Sequence, residues 1–378
     1  MQVAADRPVP AVLVVYVALF LTALPEVSAA SDDSEVCQVR VILFLPSDVP
    51  RPAIARQRAD EIVRYAETFL LEGLQRWGHE PPERLFRWQE DGHVELLEVK
   101  GDKTADEYQG KPILRREAVA KAREQYSIRG DRHVWWIFVC MGDPPARYEN
   151  YLGGFDQTMG GWALANFDTR PGTLDPDCDI AGGFAQELTV KGLVHELGHG
   201  FGLPHIGPKR AIDGGNTLMG PNTFNFHRVA PKTETRAYLS ETAAAILARH
   251  PAFRGVPDKR DPLPSVQVEV FKVEWNRRTR ATVVTGRVES SSTPVTAIVR
   301  DESDARPGEY WTKHYIGEVK EDGTFRVVID EPSPAGGTLK LFFVFENGAL
   351  TGNGKNRGAR GAPEKAYRFV KGNFVFGG

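Results

Sequence analysis

Cysteine is scarce: Cys37, Cys140 and Cys178 are the only three in 378 residues. That excludes a disulfide-stapled scaffold, and the odd count leaves at least one thiol outside any intramolecular pair. An excess of either charge is missing too. Lys and Arg number 47 against 50 Asp and Glu, a formal charge of −3, so no nucleic acid or acidic membrane is expected as a partner. Long apolar runs are absent after the first thirty residues. The early one, Val9 to Leu24, is shorter than the roughly twenty residues of a spanning helix. With Arg7 before it, Pro25 at its end and the small residues Val27-Ser28-Ala29-Ala30 behind, it reads as a secretory signal over residues 1–30. The mature chain is then expected to be secreted, extracellular or periplasmic, with no membrane span. No internal repeat occurs, and no serine or cysteine stands in a recognisable nucleophile motif.

What is present suits two globular domains, with 41% hydrophobic and 26% charged residues. Val39 to Leu45 is a β-branched apolar run, and Ala53 to Trp77 carries apolar residues at helical spacing between Pro52 and Gly78. A strand around Val94 to Val99, a helix near Arg115 to Ser127 and the apolar strand His133 to Met141 follow. This strand and helix alternation predicts βαβ crossovers and a mainly parallel, twisted sheet, an α/β domain over residues 31–253. In parallel neighbours Cys37 opens one strand and Cys140 closes the other, roughly 20 Å apart, so any bridge is expected between Cys140 and Cys178. Residues 254–264, with Pro257, Pro262 and Pro264, read as a linker. Over 265–378 the texture turns all-β: Val266, Val268 and Val270 alternate, as do Leu339, Leu341, Phe343 and Phe345, and Asp322-Gly323 and Asn347-Gly348 signal hairpins. About seven short strands predict an immunoglobulin-like or fibronectin-like sandwich, with a jelly roll as the alternative. The Gly-rich, basic stretch Gly348 to Lys365 reads as a mobile hairpin loop, with a binding patch as the alternative, and no ligand of this β domain can be named.

One stretch carries chemistry: His195-Glu196-Leu197-Gly198-His199-Gly200-Phe201-Gly202-Leu203-Pro204-His205. On a helix His195 and His199 lie one turn apart on one face with Glu196 beside them, while Val190, Leu193, Val194, Leu197 and Phe201 fall opposite. Gly202 can take the left-handed conformation that turns the backbone under the two histidines, which lets His205 supply a third nitrogen. Three imidazoles hold one catalytic zinc and leave a fourth position open, and Glu196 is placed as general base and acid. A second candidate site is the acidic loop Asp175-Pro176-Asp177-Cys178-Asp179 with Asp168, which offers oxygens for Ca2+. Gln186 departs from the calcium-loop pattern there.

The eleven residues from His195 to His205 resemble the extended zinc signature of the metzincin metallopeptidases. Asn216-Thr217-Leu218-Met219-Gly220 is similar to their Met-turn, whose methionine, here Met219, lies under the metal. Ile206 matches none of the familiar subfamilies at the position after the third histidine, and Pro221 stands where astacins and serralysins carry a tyrosine ligand, so the subfamily stays unassigned. By resemblance, Gly160 to Asn166 is the edge strand beside the cleft that pairs with extended substrate, and Pro221 to Lys232 walls the pocket beyond the cut bond. The resemblance implies a secreted zinc metalloendopeptidase acting on protein or peptide chains. Two alternatives remain: a zinc-containing binding or adhesion protein whose sandwich carries the function, and a hydrolase of non-peptide amides.

Overall fold

The computed structural model describes residues 36–128, 133–142, 152–156, 160–167, 190–209, 215–229, 237–256, 262–305 and 308–377. The signal segment, Cys178 and the acidic loop with Asp168 lie outside them.

The first half is built on a five-stranded sheet. Its elements run β1 (Val39–Leu45), α1 (Ala55–Arg76), β2 (Leu96–Lys100), α2 (Ala105–Tyr108), α3 (Ile113–Gln125), β3 (Val134–Val139), β4 (Gly153–Asp156), β5 (Gly160–Asn166) and α4 (Val190–Gly200). The strand order is β2-β1-β3-β5-β4. β1 is parallel to β2 and β3, β3 is parallel to β5, and only β4 is antiparallel. β1 and β3 are buried at every position because helices cover both faces of the sheet. Val41, Leu43, Trp136 and Phe138 face α1 and α4, while Ile42, Phe44, Trp135 and Ile137 face α3.

The structure corrects one expectation. Gly160–Asn166 is a strand, but an inner one, because β4 pairs antiparallel outside it. With two glycines in four residues β4 has no strand periodicity to read, and glycine weakens strand propensity.

After α4 come β6 (Asn216–Thr217), α5 (Thr223–Val229), β7 (Ala237–Tyr238), α6 (Glu241–Leu247) and α7 (Pro251–Arg254). The expected wall Pro221 to Lys232 therefore contains a helix. Ser240 caps α6 by accepting the Ala243 amide at 3.2 Å.

The second half folds as antiparallel sheets from nine described strands where about seven were expected: β8 (Val266–Asn276), β9 (Ala281–Ser290), β10 (Pro294–Ser303), β11 (Lys313–Glu318), β12 (Thr324–Ile329), β13 (Gly337–Phe345), β14 (Leu350–Thr351), β15 (Glu364–Val370) and β16 (Asn373–Phe376). One sheet runs β11-β10-β13-β15-β16 with β14 beside β13, the other β12-β9-β8. Gly323 and Gly348 take φ of +79° and +81°, as their hairpin positions require.

The run Leu341-Phe342-Phe343-Val344-Phe345 is buried throughout because its sheet is covered on both faces. Val299, Leu341 and Phe343 meet the second sheet, while Ile298, Phe342 and Val344 join the core of the first half. Ser34–Gly378 is accordingly one compact unit. The basic loop carries hydrogen bonds of its own and reaches β4. Asn353 Oδ1 accepts the amides of Lys355 and Asn356 at 2.9 Å, and the Arg357 guanidinium lies 4.5 Å over the Phe155 ring on β4.

Candidate metal centre

α4 runs along the sheet, and glycine is what lets it approach. A Cβ on Gly200 would sit 3.3 Å from the Trp162 carbonyl oxygen, and one on Gly198 would sit 2.5 Å from the Met219 sulfur. The helix ends in a Schellman arrangement. Leu203 N–H donates to Gly198 O at 2.9 Å and Gly202 N–H to His199 O at 2.8 Å, with Gly202 at φ +83°. That reversal places the Leu203 carbonyl where it accepts the His199 Nδ1 proton at 2.9 Å. The expected turn at Gly202 thus also orients the His199 ring.

The three histidines come together, with one ring nitrogen from each of His195, His199 and His205 within 4.8 Å of the others. Each Nδ1 faces an oxygen: His195 that of Leu218 at 2.8 Å, His199 that of Leu203, and His205 a carboxylate oxygen of Glu309 at 3.0 Å. Carbonyl and carboxylate oxygens only accept, so every Nδ1 is the protonated nitrogen. Burial keeps the rings neutral. It lowers His195 well below the usual histidine range, with His199 and Lys191 adding to the effect, lowers His199 to about 4, and lowers His205 against the opposing pull of Glu309. The Nε2 atoms therefore carry lone pairs, and those of His199 and His205 stand 3.1 Å apart. Two facing lone pairs repel unless a cation lies between them, and three neutral imidazoles with secured Nδ1 protons are a donor set that can hold a metal ion.

Glu196 sits next to His195 and is 8% exposed. Burial pushes its carboxyl up to about 7, while a hydrogen bond from the Gly153 amide acts in the opposite direction. A carboxyl poised near neutrality can accept and return a proton. Gly153 lies so close to α4 that a Cβ there would meet the Glu196 carbonyl. β4 thus rests directly on the helix beside the Glu196 carboxyl.

Met219 is buried beneath α4, and its carbonyl accepts the Ile206 amide at 3.0 Å. The buried Lys191 ammonium donates to Gly220 O at 3.3 Å and Pro221 O at 2.7 Å, which ties the turn to the start of the helix. Ile206, uninformative in the sequence, is a core residue.

Sequence reasoning missed Gly153, Glu309 and Tyr310. The Tyr310 ring lies 3.9 Å, centroid to centroid, from His205 and 6.0 Å from His195. Its phenol is raised above the usual range by burial, then by Glu196 and Glu309. Both residues follow Gly308 in the all-β half, about a hundred positions from the motif, and no spacing rule connects them to it.

Fold and site together define a chain with an α/β first half, antiparallel sheets behind it, and a three-histidine cradle able to bind a metal ion. No protein-family model and no curated protein sequence matches it. Among solved structures it is similar to OgpA from Akkermansia muciniphila. The wild-type enzyme in two crystal forms superposes with a TM-score of 0.65 at 18% identity, over 90% and 91% of this chain and 96% of OgpA. A catalytically inactive OgpA in complex with an O-glycopeptide substrate, glycodrosocin, gives 0.62 at 18% identity, over 84% of this chain and 91% of that one. The likeness is one of fold.

Proposed function

We propose that the chain is an exported, zinc-dependent endopeptidase of metzincin type that cleaves protein or peptide chains. The observation that carries this reading is the convergence of three Nε2 lone pairs beside a buried carboxyl tuned to about 7. His195, His199 and His205 are the residues that would hold zinc. When bound, zinc polarises a peptide carbonyl and makes water acidic enough to attack at neutral pH.

The chain's own groups supply the rest. Glu196 takes one proton from the attacking water as the new carbon–oxygen bond forms at the carbonyl carbon. The carbon–nitrogen bond then breaks, and Glu196 hands the proton to the departing nitrogen. No covalent acyl-enzyme is required, in keeping with the missing serine or cysteine nucleophile. The outer edge of β4, beside Glu196, is where an extended peptide would add as a further strand. Met219 supports the cradle from beneath.

The OgpA complex makes O-glycosylated peptides the first substrates to try. Glu196→Gln tests the reading. The variant should retain bound zinc and lose at least about 100-fold in the cleavage rate of O-glycosylated or denatured protein, and a chelator should abolish wild-type cleavage. Wild-type rates from Glu196→Gln would sink the assignment.

A further inference from the structure

We propose that Glu309, from the all-β half, is a positioning residue of the metal centre that holds His205 in its ligating state. This rests on the metal-site reading above. The three histidines are not equally supported. His195 and His199 sit on one helix, which fixes their backbone, and their Nδ1 protons go to main-chain carbonyls of the same half, Leu218 and Leu203. His205 lies beyond the helix C-terminus in a coil segment, and its Nδ1 acceptor is a side chain 104 residues away.

The 3-10 turn Glu309–Trp311 and the residue after it grip this segment in several ways. Gly207 N–H donates to Thr312 O at 2.7 Å, while the Thr312 hydroxyl donates to Glu309 O at 2.7 Å and closes the turn. A Cβ on Gly207 would lie 2.6 Å from the Trp311 carbonyl carbon, so the absence of a side chain there is what admits the turn. Tyr310 covers one face of the His205 ring at 3.9 Å and limits its rotation. Glu309 then selects the tautomer: with its carboxylate 3.0 Å from Nδ1, the proton stays on Nδ1 and the Nε2 lone pair points into the cradle. The all-β half is thereby a working part of the metal site.

The magnitude follows from exposure. The Glu309 side chain is 71% exposed against 16% for His205, so its charge is screened by solvent and orientation is the larger part of its effect. Loss of such an outer partner costs 10–100-fold in metal affinity, and an exposed one belongs at the lower end.

The test measures zinc affinity, by competition with a chromophoric chelator, in the full chain, in Glu309→Ala and Glu309→Gln, and in Glu321→Ala as a control at another exposed carboxylate of the same half. Glu309→Ala should bind zinc about tenfold more weakly, with the metal-free melting temperature unchanged and the control at wild-type affinity. Glu309→Gln keeps an acceptor oxygen in the same place and should lose less. Wild-type affinity in both Glu309 variants would overturn the proposal. A wild-type chain that takes up no zinc would instead remove the metal-site reading itself, and this inference with it.

Discussion

Gly153→Ala should loosen the joint between β4 and the histidine-bearing helix α4. An added methyl would come within 2.9 Å of both the Glu196 carbonyl carbon and the His199 Cβ, and closer still to the Glu196 carbonyl oxygen. Carbon atoms pack comfortably at about 3.5–4.0 Å, and with the carbonyl oxygen nearer than either carbon one partner must retreat by about an ångström or more. α4 is held by the sheet, its cap and the Met-turn, whereas β4 is four residues long and pairs with one strand, so β4 is the element that moves.

Overpacking of this kind costs about 1–3 kcal/mol, and the lower chain entropy of unfolded alanine returns about 0.4–1 kcal/mol. The net expectation is a destabilisation of about 1–2 kcal/mol. A second effect is chemical. As β4 withdraws, the Gly153 amide leaves the Glu196 carboxylate, and Glu196 rises above its value of about 7. Denaturant titration reads the first effect. The pH dependence of peptide cleavage reads the second, as an upward shift of the acidic limb with lower turnover at neutral pH. A variant as stable as wild type with an unshifted pH profile would refute both the packing of β4 on α4 and the hydrogen bond from its Gly153 amide to Glu196.

At Gly198, alanine would gain about 1 kcal/mol in helix propensity but place its methyl 2.5 Å from the Met219 sulfur. Gly198→Ala should therefore destabilise the wild type yet stabilise a Met219→Ala background, and a double-mutant cycle with no such coupling would contradict the contact. Asp301 is buried in the second half, accepts the Tyr367 hydroxyl at 2.7 Å, and is raised to about 6 chiefly by burial. The folded state then holds this proton more tightly than the unfolded chain. Its contribution to stability is full below the unfolded pKa of about 3.9 and declines as pH rises through about 6. The stability difference between wild type and Asp301→Asn, followed by urea titration across that interval, should fall with rising pH, and a flat difference would count against it.

The sequence by itself determined the sheet's inner strands, the long first helix, the hairpin turns and the three histidines with their carboxylate. These are the features written in local periodicity, in glycine's access to positive φ, or in the one-turn spacing of helix neighbours. Gly202 shows how far local chemistry reaches, since the turn expected there also delivers the carbonyl that orients His199.

Tertiary structure alone decided three other matters. It put β4 outside β5, because a four-residue glycine-rich strand is made by what it packs on and not by its own propensity. It buried both faces of Leu341 to Phe345 by setting their sheet between the first half and the β12-β9-β8 sheet. It also brought Glu309 and Tyr310 to His205, because a coil-borne side chain draws its support from whatever segment the fold sets beside it, and distance along the chain leaves no trace of that in the residues.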